Sequence, residues 1–196
     1  ATAQTVRALG LIAAQAVPVL VQSNLDDGFA AQFTDLVSSL GMILIERHIV
    51  TDLIGAPVGH CYGHHFTDPL SRLAFQRAMA AVGASPGTMI YGNTTAFRGK
   101  PGANFAALAN YLLVDAAGQL TRPTGHAINA VPVTENERIP EIDEVIAAQL
   151  FAGRMVELAP AWVAMLDEAP VEALAAQIVA GGRAFAEAAL KGLEER

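Results

Sequence analysis

The chain has one cysteine, Cys61, in 196 residues. An intramolecular disulfide is impossible and a four-cysteine zinc site is excluded. A reducing, cytoplasmic setting is the simplest reading. Lysine is nearly as scarce, with only Lys100 and Lys191. Lys191 falls in an Ala-rich tail, so an imine formed by this chain would have to use Lys100. Its loop is too rich in glycine to desolvate an amine well. No basic run exists and the net charge is −7, which argues against nucleic acid as a partner. No convincing membrane span is present. Residues 8–25 are uncharged, but Pro18 interrupts them and Gln15, Gln22, Ser23 and Asn24 are polar. The stretch is also a poor secretory signal, since only Arg7 precedes it and no cleavage pattern follows. The first residue is not Met, so we read a processed chain or a segment of a longer one. G-x-S-x-G, a G-x-G-x-x-G after a strand and a Gly-Lys-Ser/Thr P-loop ending are all missing.

What the chain does have is a recurring pattern of a short apolar run, a polar cluster and a helix-like stretch. Hydrophobic residues make up 53% of the sequence, which suits strands buried on both faces or surface buried against partners. Thr5–Gln15 reads as a helix and Pro18–Val21 as a strand. Asp26-Asp27 open a helix through Phe29, Phe33 and Leu36, which Gly41 ends. Met42–Ile45 is a strand or a helical extension, and periodicity cannot decide which. Residues 47–67 read as a long connection rich in Gly, Pro and His, functional because of its length. Asp68-Pro69 is an N-cap and first-turn signal for a helix closed by Gly83. Gly87–Tyr91 is a strand, Ala103–Gln119 a helix and His126–Ile128 a strand. Pro140 starts a helix with Glu141, Asp143 and Glu144 in its first turn. Residues 160–195 are helical and broken near Gly181-Gly182. This alternation predicts an α/β fold of parallel (β/α) units. It is either an open parallel sheet or about half a TIM barrel, since a closed barrel takes about 250 residues. The expected division is 1–158 as the (β/α) region and 159–196 as a helical segment packed on it.

Four clusters carry candidate chemistry, because strand ends of a parallel sheet deliver polar groups to one rim. Ser23 and Asn24 end the first strand and could donate to a ligand. They could equally form a plain turn. His60, Cys61, His64 and His65 include metal-capable side chains, but no acid lies among them and the pattern is not H-E-x-x-H. Imidazoles binding a substrate or cofactor, and structural histidines, are the other readings. Tyr91, Asn93 and Thr94 follow a strand and offer hydroxyls and an amide, able to hold a phosphate or orient a ring. Arg98 is a nearby bidentate anion partner. His126, Asn129, Glu135 and Arg138 lie in the densest polar stretch, where Glu135 and Arg138 could pair at the mouth of a site.

Several of these words, in order, carry a resemblance. They are His64-His65-Phe66-Thr67-Asp68-Pro69, Thr88-Met89-Ile90-Tyr91-Gly92-Asn93-Thr94, Pro123-Thr124-Gly125-His126-Ala127, Pro132-Val133-Thr134-Glu135 and Arg138-Ile139-Pro140. From about residue 18 to residue 158 the chain resembles the large-subunit barrel of the lysine 5,6-aminomutase and ornithine 4,5-aminomutase family. The resemblance implies a partial TIM barrel in a heteromeric enzyme that uses pyridoxal 5′-phosphate and adenosylcobalamin for a radical 1,2-amino shift. Its substrate would be lysine, β-lysine or ornithine. It implies a small cobalamin-binding subunit that supplies the Schiff-base lysine, in keeping with the missing D-x-H-x-x-G cobalamin loop and the shortage of lysine. Under this reading His64, His65 and Tyr91 would be catalytic. Ser23, Asn24, Tyr91, Asn93, Thr94 and Arg98 would hold the cofactor, and His60, His126, Asn129, Glu135 and Arg138 the substrate. The family's barrel is far longer, so this chain alone should lack a closed site. A metal-dependent barrel hydrolase built on the His60–His65 loop and a non-catalytic assembly subunit are the competing expectations.

Overall fold

A computed structural model describes residues 2–23, 35–64, 68–92, 94 and 97–194. Four strands form one sheet: β1 (Val21–Ser23), β2 (Val58–Tyr62), β3 (Met89–Ile90) and β4 (Ala127–Ile128). They lie in the order β1-β2-β3-β4 and every pair is parallel. The helices are α1 (Thr2–Ala13), α2 (Leu36–Arg47), α3 (Pro69–Ala81), α4 (Pro101–Thr121), α5 (Ile142–Val163) and α6 (Ala169–Glu194). This is the α/β fold with parallel strands that the alternation predicts. Strand order never reverses, so no switch point of the doubly wound kind occurs among the described strands.

Helix starts follow their local signals. Asp68 caps α3 by accepting from Ser71 N at 2.8 Å, with Pro69 in the first turn. Asp35 caps α2 in the same way, and its bond from Ser38 N holds its carboxyl below the ordinary range. α5 opens two residues later than Pro140 suggests. Glu141 is its N-cap, and the Glu144 side chain accepts from Glu141 N at 2.7 Å to close a capping box.

Met42–Ile45, left open between strand and helical extension, is helical, part of α2. Three expectations change. Gly41 ends nothing, because it lies inside α2 and packs against Phe185 of α6, whose Cβ is 2.9 Å from where a Cβ on Gly41 would sit. Gly181-Gly182 likewise do not break α6. They let it close on Val37 and Leu40 of α2. The 47–67 connection contains a strand. A π-type turn over His48–Leu53 extends α2, and β2 follows with all five residues buried. Its glycine and histidine hid it, and a strand buried on both faces has no polar alternation to reveal it. The 158/159 division falls inside α5, and α6 packs on α2 and α3.

Register places side chains. Val21, Val58, His60, Tyr62, Ile90 and Ile128 share one face of the sheet. That face meets the helices: Tyr62 and Ile90 join Leu40 and Ile43 of α2, Phe75 and Met79 of α3, Val114 of α4 and Ile178 of α6 in the main core. Two smaller cores flank it, one around α1 and the end of α2, the other between α4 and α5. The opposite face presents Gln22, Gly59, Cys61, Met89 and Ala127, and none of these joins any of the three cores.

Candidate functional site

Three polar groupings emerge where the sequence suggests four clusters at one rim. The first is the rim beyond the C-terminal ends of β2 and β3. His64 and Tyr91 are half-buried there, with ring centroids 6.0 Å apart in an edge-on arrangement. Tyr91 N donates to Tyr62 O, which carries the ladder to the strand end. Thr94 is buried in the following turn, where Phe97 N donates to its carbonyl. Phe97 is fully buried and Arg98 immediately after it is exposed. Asn129 follows β4 and its N–H donates to Ile90 O at 3.0 Å. His65, Asn24 and Asn93 lie outside the described residues.

A buried ionic network holds this rim from beneath. Arg72 of α3 donates two hydrogen bonds of 2.7 Å to the Asp115 carboxyl of α4. The same guanidinium donates to Gly63 O and to Tyr91 O, both at 2.7 Å, and lies 4.9 Å from the Tyr111 ring centroid. Gln76 adds a third donor to Asp115 at 2.7 Å. Burial pushes the Asp115 carboxyl upward, and the guanidinium and the amide pull it back. Three short donors are the environment of a carboxylate. Burial works against the Arg72 charge, and Asp115 more than offsets it. The strand-end carbonyls of β2 and β3 are thus fixed by one side chain. Gly63 has to be glycine here: its φ is +106°, and a Cβ would meet Tyr91 O at 2.7 Å. Sequence reasoning misses Arg72, Gln76, Tyr111 and Asp115. The available signal is Asp115 itself, a lone acid inside the apolar run from Tyr111 to Ala117.

The second grouping is a row across the sheet rather than a rim. Ser23 pairs in register with His60, and one step back from Cys61, Met89 and Ala127 stand His60, Thr88 and His126. All four side chains are buried, His60 completely. They point into the helix layer because alternation sends them to the same side as Tyr62. The placement of Ser23, His60 and His126 at a ligand-binding rim is therefore corrected. Tyr62, which burial keeps neutral, hydrogen-bonds His126 Nδ1 at 3.0 Å. Glu46 of α2 approaches His60 Nδ1 at 3.4 Å, and neither His60 nitrogen nor Ser23 Oγ has a hydrogen-bond partner among the described residues. His60 faces the helices from within β2, whereas His64 lies two residues beyond the strand's end. Among the described residues no group of three His, Cys, Asp or Glu could hold a metal.

The row carries a pH dependence. Burial lowers the His126 imidazole from its ordinary 6.5, the Ala84 carbonyl opposes this, and the neighbouring His60 adds to it. Below 6.5 the unfolded chain takes up a proton that native His126 resists. Stability is therefore complete above that value, falls as the pH drops toward the lowered native one, and levels off beneath it. Urea midpoints measured between about pH 7.5 and pH 5 should fall more for the wild type than for His126→Gln. Equal falls would overturn the assignment.

The third grouping surrounds the start of α5. Arg138 pairs with Glu144 at 2.8 Å, and Thr134 Oγ1 donates to the same carboxylate at 3.0 Å. The expected Glu135–Arg138 pair gives way to this one because Glu144 is already oriented by the capping box. Burial pushes the Tyr111 phenol upward, and the charge of Glu135 adds a little to this. Residues 135–140 line an open depression of about 360 Å³. Asn104 ties the loops together, accepting from Gly99 N and donating to Val133 O, both at 3.0 Å.

These features define a class: a parallel α/β protein whose sheet has helices on one face and polar groups gathered beyond two adjacent strand ends. Comparison with protein-family models, curated proteins and solved structures gives no match. No helix among the described residues is long and apolar enough to cross a membrane.

Proposed function

We propose that this chain is half of a (β/α) barrel forming one wall of an aminomutase site that takes pyridoxal 5′-phosphate and works with adenosylcobalamin held by a small partner subunit. The observation that carries the reading is the sheet: among the described residues, four parallel strands in unbroken order whose Tyr62 and Ile90 face packs on the helices, with His64 and Tyr91 just beyond adjacent C-terminal ends. An unbroken order is how a barrel is wound, and barrel sites lie at the C-terminal rim.

The donor set fits a pyridoxal phosphate that is held without a covalent bond. Tyr91 and His64 offer ring surface and hydrogen bonds, and Arg98 offers an exposed guanidinium to a phosphate. Lys100 is exposed at the start of α4 and Lys191 is exposed on α6, so neither is a desolvated imine former. The proposal assigns that lysine, and the hetero-oligomer it requires, to the cobalamin subunit. When bound, the two cofactors supply the imine and radical chemistry. This chain's part is to bind and orient. The Tyr91 ring lies against the cofactor, His64 donates to it, Arg98 neutralises phosphate, and Arg72 keeps both strand-end loops in register from below. Asn129 and Glu135 face the substrate diamino acid: lysine, β-lysine or ornithine. A cytoplasmic location suits this metabolism.

Titration with pyridoxal phosphate followed by absorbance tests binding. Arg98→Ala should weaken it roughly 10- to 100-fold, the value of a lost charge-assisted hydrogen bond. The complete reaction is read as a 1,2-amino shift on the three diamino acids with the cobalamin subunit and both cofactors present. Unchanged affinity in both Arg98→Ala and Tyr91→Phe, or no shift on any substrate, would overturn the reading.

A further inference from the structure

The chain is acidic, with a net charge of −7, yet it gathers three arginines in one place. Arg77 of α3, Arg122 just past α4 and Arg183 of α6 line a depression of about 340 Å³. α3 and α4 end there, ahead of β3 and β4, so the depression lies at the other end of the parallel strands from His64 and Tyr91. Much of the remaining lining is small and apolar, with Ala81 of α3 and Ala176, Val179 and Ala180 of α6. Glu172 is the one acid among the described lining residues. Helical spacing puts it on one face of α6 with Ala176, Val179 and Arg183.

The charges in this depression do not balance. Arg77 is 2% exposed and donates to Thr121 Oγ1, to Glu168 Oε1 at 3.1 Å and to Gly118 O at 3.4 Å. Its Nε makes no hydrogen bond, although Glu172 Oε1 lies 3.3 Å away. The same Glu172 oxygen is 3.0 Å from Arg122 Nη2 and accepts no hydrogen bond either. One carboxylate oxygen is therefore shared by two guanidiniums and aligned with neither. Arg183 adds a third, exposed guanidinium. Burial lowers the Arg77 guanidinium from its ordinary value, Glu168 opposes this, Arg122 adds to it, Glu172 opposes it, and the balance stays downward. An anion placed here would offset the surplus positive charge, and a buried donor without a bond already lines the site.

We propose that the depression binds a phosphorylated small molecule, with Arg122 and Arg183 taking the phosphate and the alanine-rich wall taking its apolar or ring portion. Guanidinium forks match phosphate oxygens in pairs, which carboxylate-sized point contacts do not require. A phosphate monoester brings about two negative charges near neutral pH, enough for both arginines. A volume of about 340 Å³ is at the small end of ligand sites, so a monoester fits better than a dinucleotide. This site stands apart from the rim and does not depend on the aminomutase reading.

Calorimetric titration of the purified chain with phenyl phosphate, at fixed ionic strength, tests it. The wild type should show saturable binding, and inorganic phosphate should bind more weakly because it leaves the apolar wall uncovered. Arg183→Ala and, separately, Arg122→Ala should each weaken phenyl phosphate roughly 10- to 100-fold. Arg183→Lys should fall between wild type and alanine, since it keeps the charge and loses the fork. Both side chains are exposed, so circular dichroism of these variants should match the wild type. Arg98→Ala, at the rim, should leave this binding unchanged. No saturable binding by the wild type, or equal affinity in wild type, Arg122→Ala and Arg183→Ala, overturns the proposal. Binding lost only in Arg98→Ala also overturns it, because the phosphate would then sit at the rim, where the cofactor reading puts one.

Discussion

Asp115→Ala is expected to cost about 3–5 kcal/mol of folding stability, read as a lowered denaturant midpoint at neutral pH. Asp115 is 1% exposed and neutralises Arg72, which is equally buried. Removing the carboxylate leaves a guanidinium charge in the core beside two carbonyls and an aromatic face. Taking a charge out of water costs several kcal/mol, and partial dipoles do not repay it. Asp115→Asn keeps the side-chain shape and one acceptor, so it should fall between wild type and alanine. The consequence reaches the rim, because the same guanidinium holds Gly63 O and Tyr91 O. Hydrogen exchange at the amides following β2 and β3 should quicken in Asp115→Ala beyond what global destabilisation explains. A loss below about 1 kcal/mol, the scale of an exposed ion pair, would mean that Arg72 is not buried as described.

Leu40→Ala should cost about 2–5 kcal/mol, and Gly182→Ala about 1–3 kcal/mol by overpacking. The double variant should cost less than the sum. Leu40 has no exposed surface and sits where α2 crosses α6. A Cβ on Gly182 would lie 3.0 Å from Leu40 Cδ2 and 3.2 Å from its Cγ. Truncating Leu40 removes both atoms and leaves its Cβ, 3.1 Å away, so the added methyl is relieved of two of its three closest contacts. Chemical denaturation of the four proteins gives the coupling directly, expected at about 0.5–3 kcal/mol. Strict additivity would show that α2 and α6 do not meet through this pair.

Local chemistry made much of the fold legible. Asp68-Pro69 and the Glu141–Glu144 box signal helix starts through bonds between residues three apart, and such bonds need no distant partner. The alternation of apolar runs and helical stretches required parallel strands, since crossovers of that length cannot form hairpins. Other positions misled because their reasons are non-local. Gly41 and Gly181-Gly182 look like helix ends, but α6 presses on α2 there and leaves no room for a side chain. β2 looked like a loop because its glycine and histidine belong to a strand buried on both faces.

The opening scarcities were determined by sequence alone. With one cysteine the chain has no intramolecular disulfide, and with two lysines it has at most two candidates for an imine, whatever its fold. The parallel α/β class followed as firmly from its periodicity. Only the tertiary structure decided which polar residues meet. His60 and His64 are four apart in sequence, yet β2 carries His60 into the core and ends at Tyr62, and the turn at Gly63 leaves His64 at the rim. Arg72 and Asp115 are far apart in sequence, and the packing of α3 on α4 makes them one buried pair beneath that rim. Strand alternation is fixed by covalent geometry. Which face is covered depends on where the helices pack, and that is a property of the whole chain.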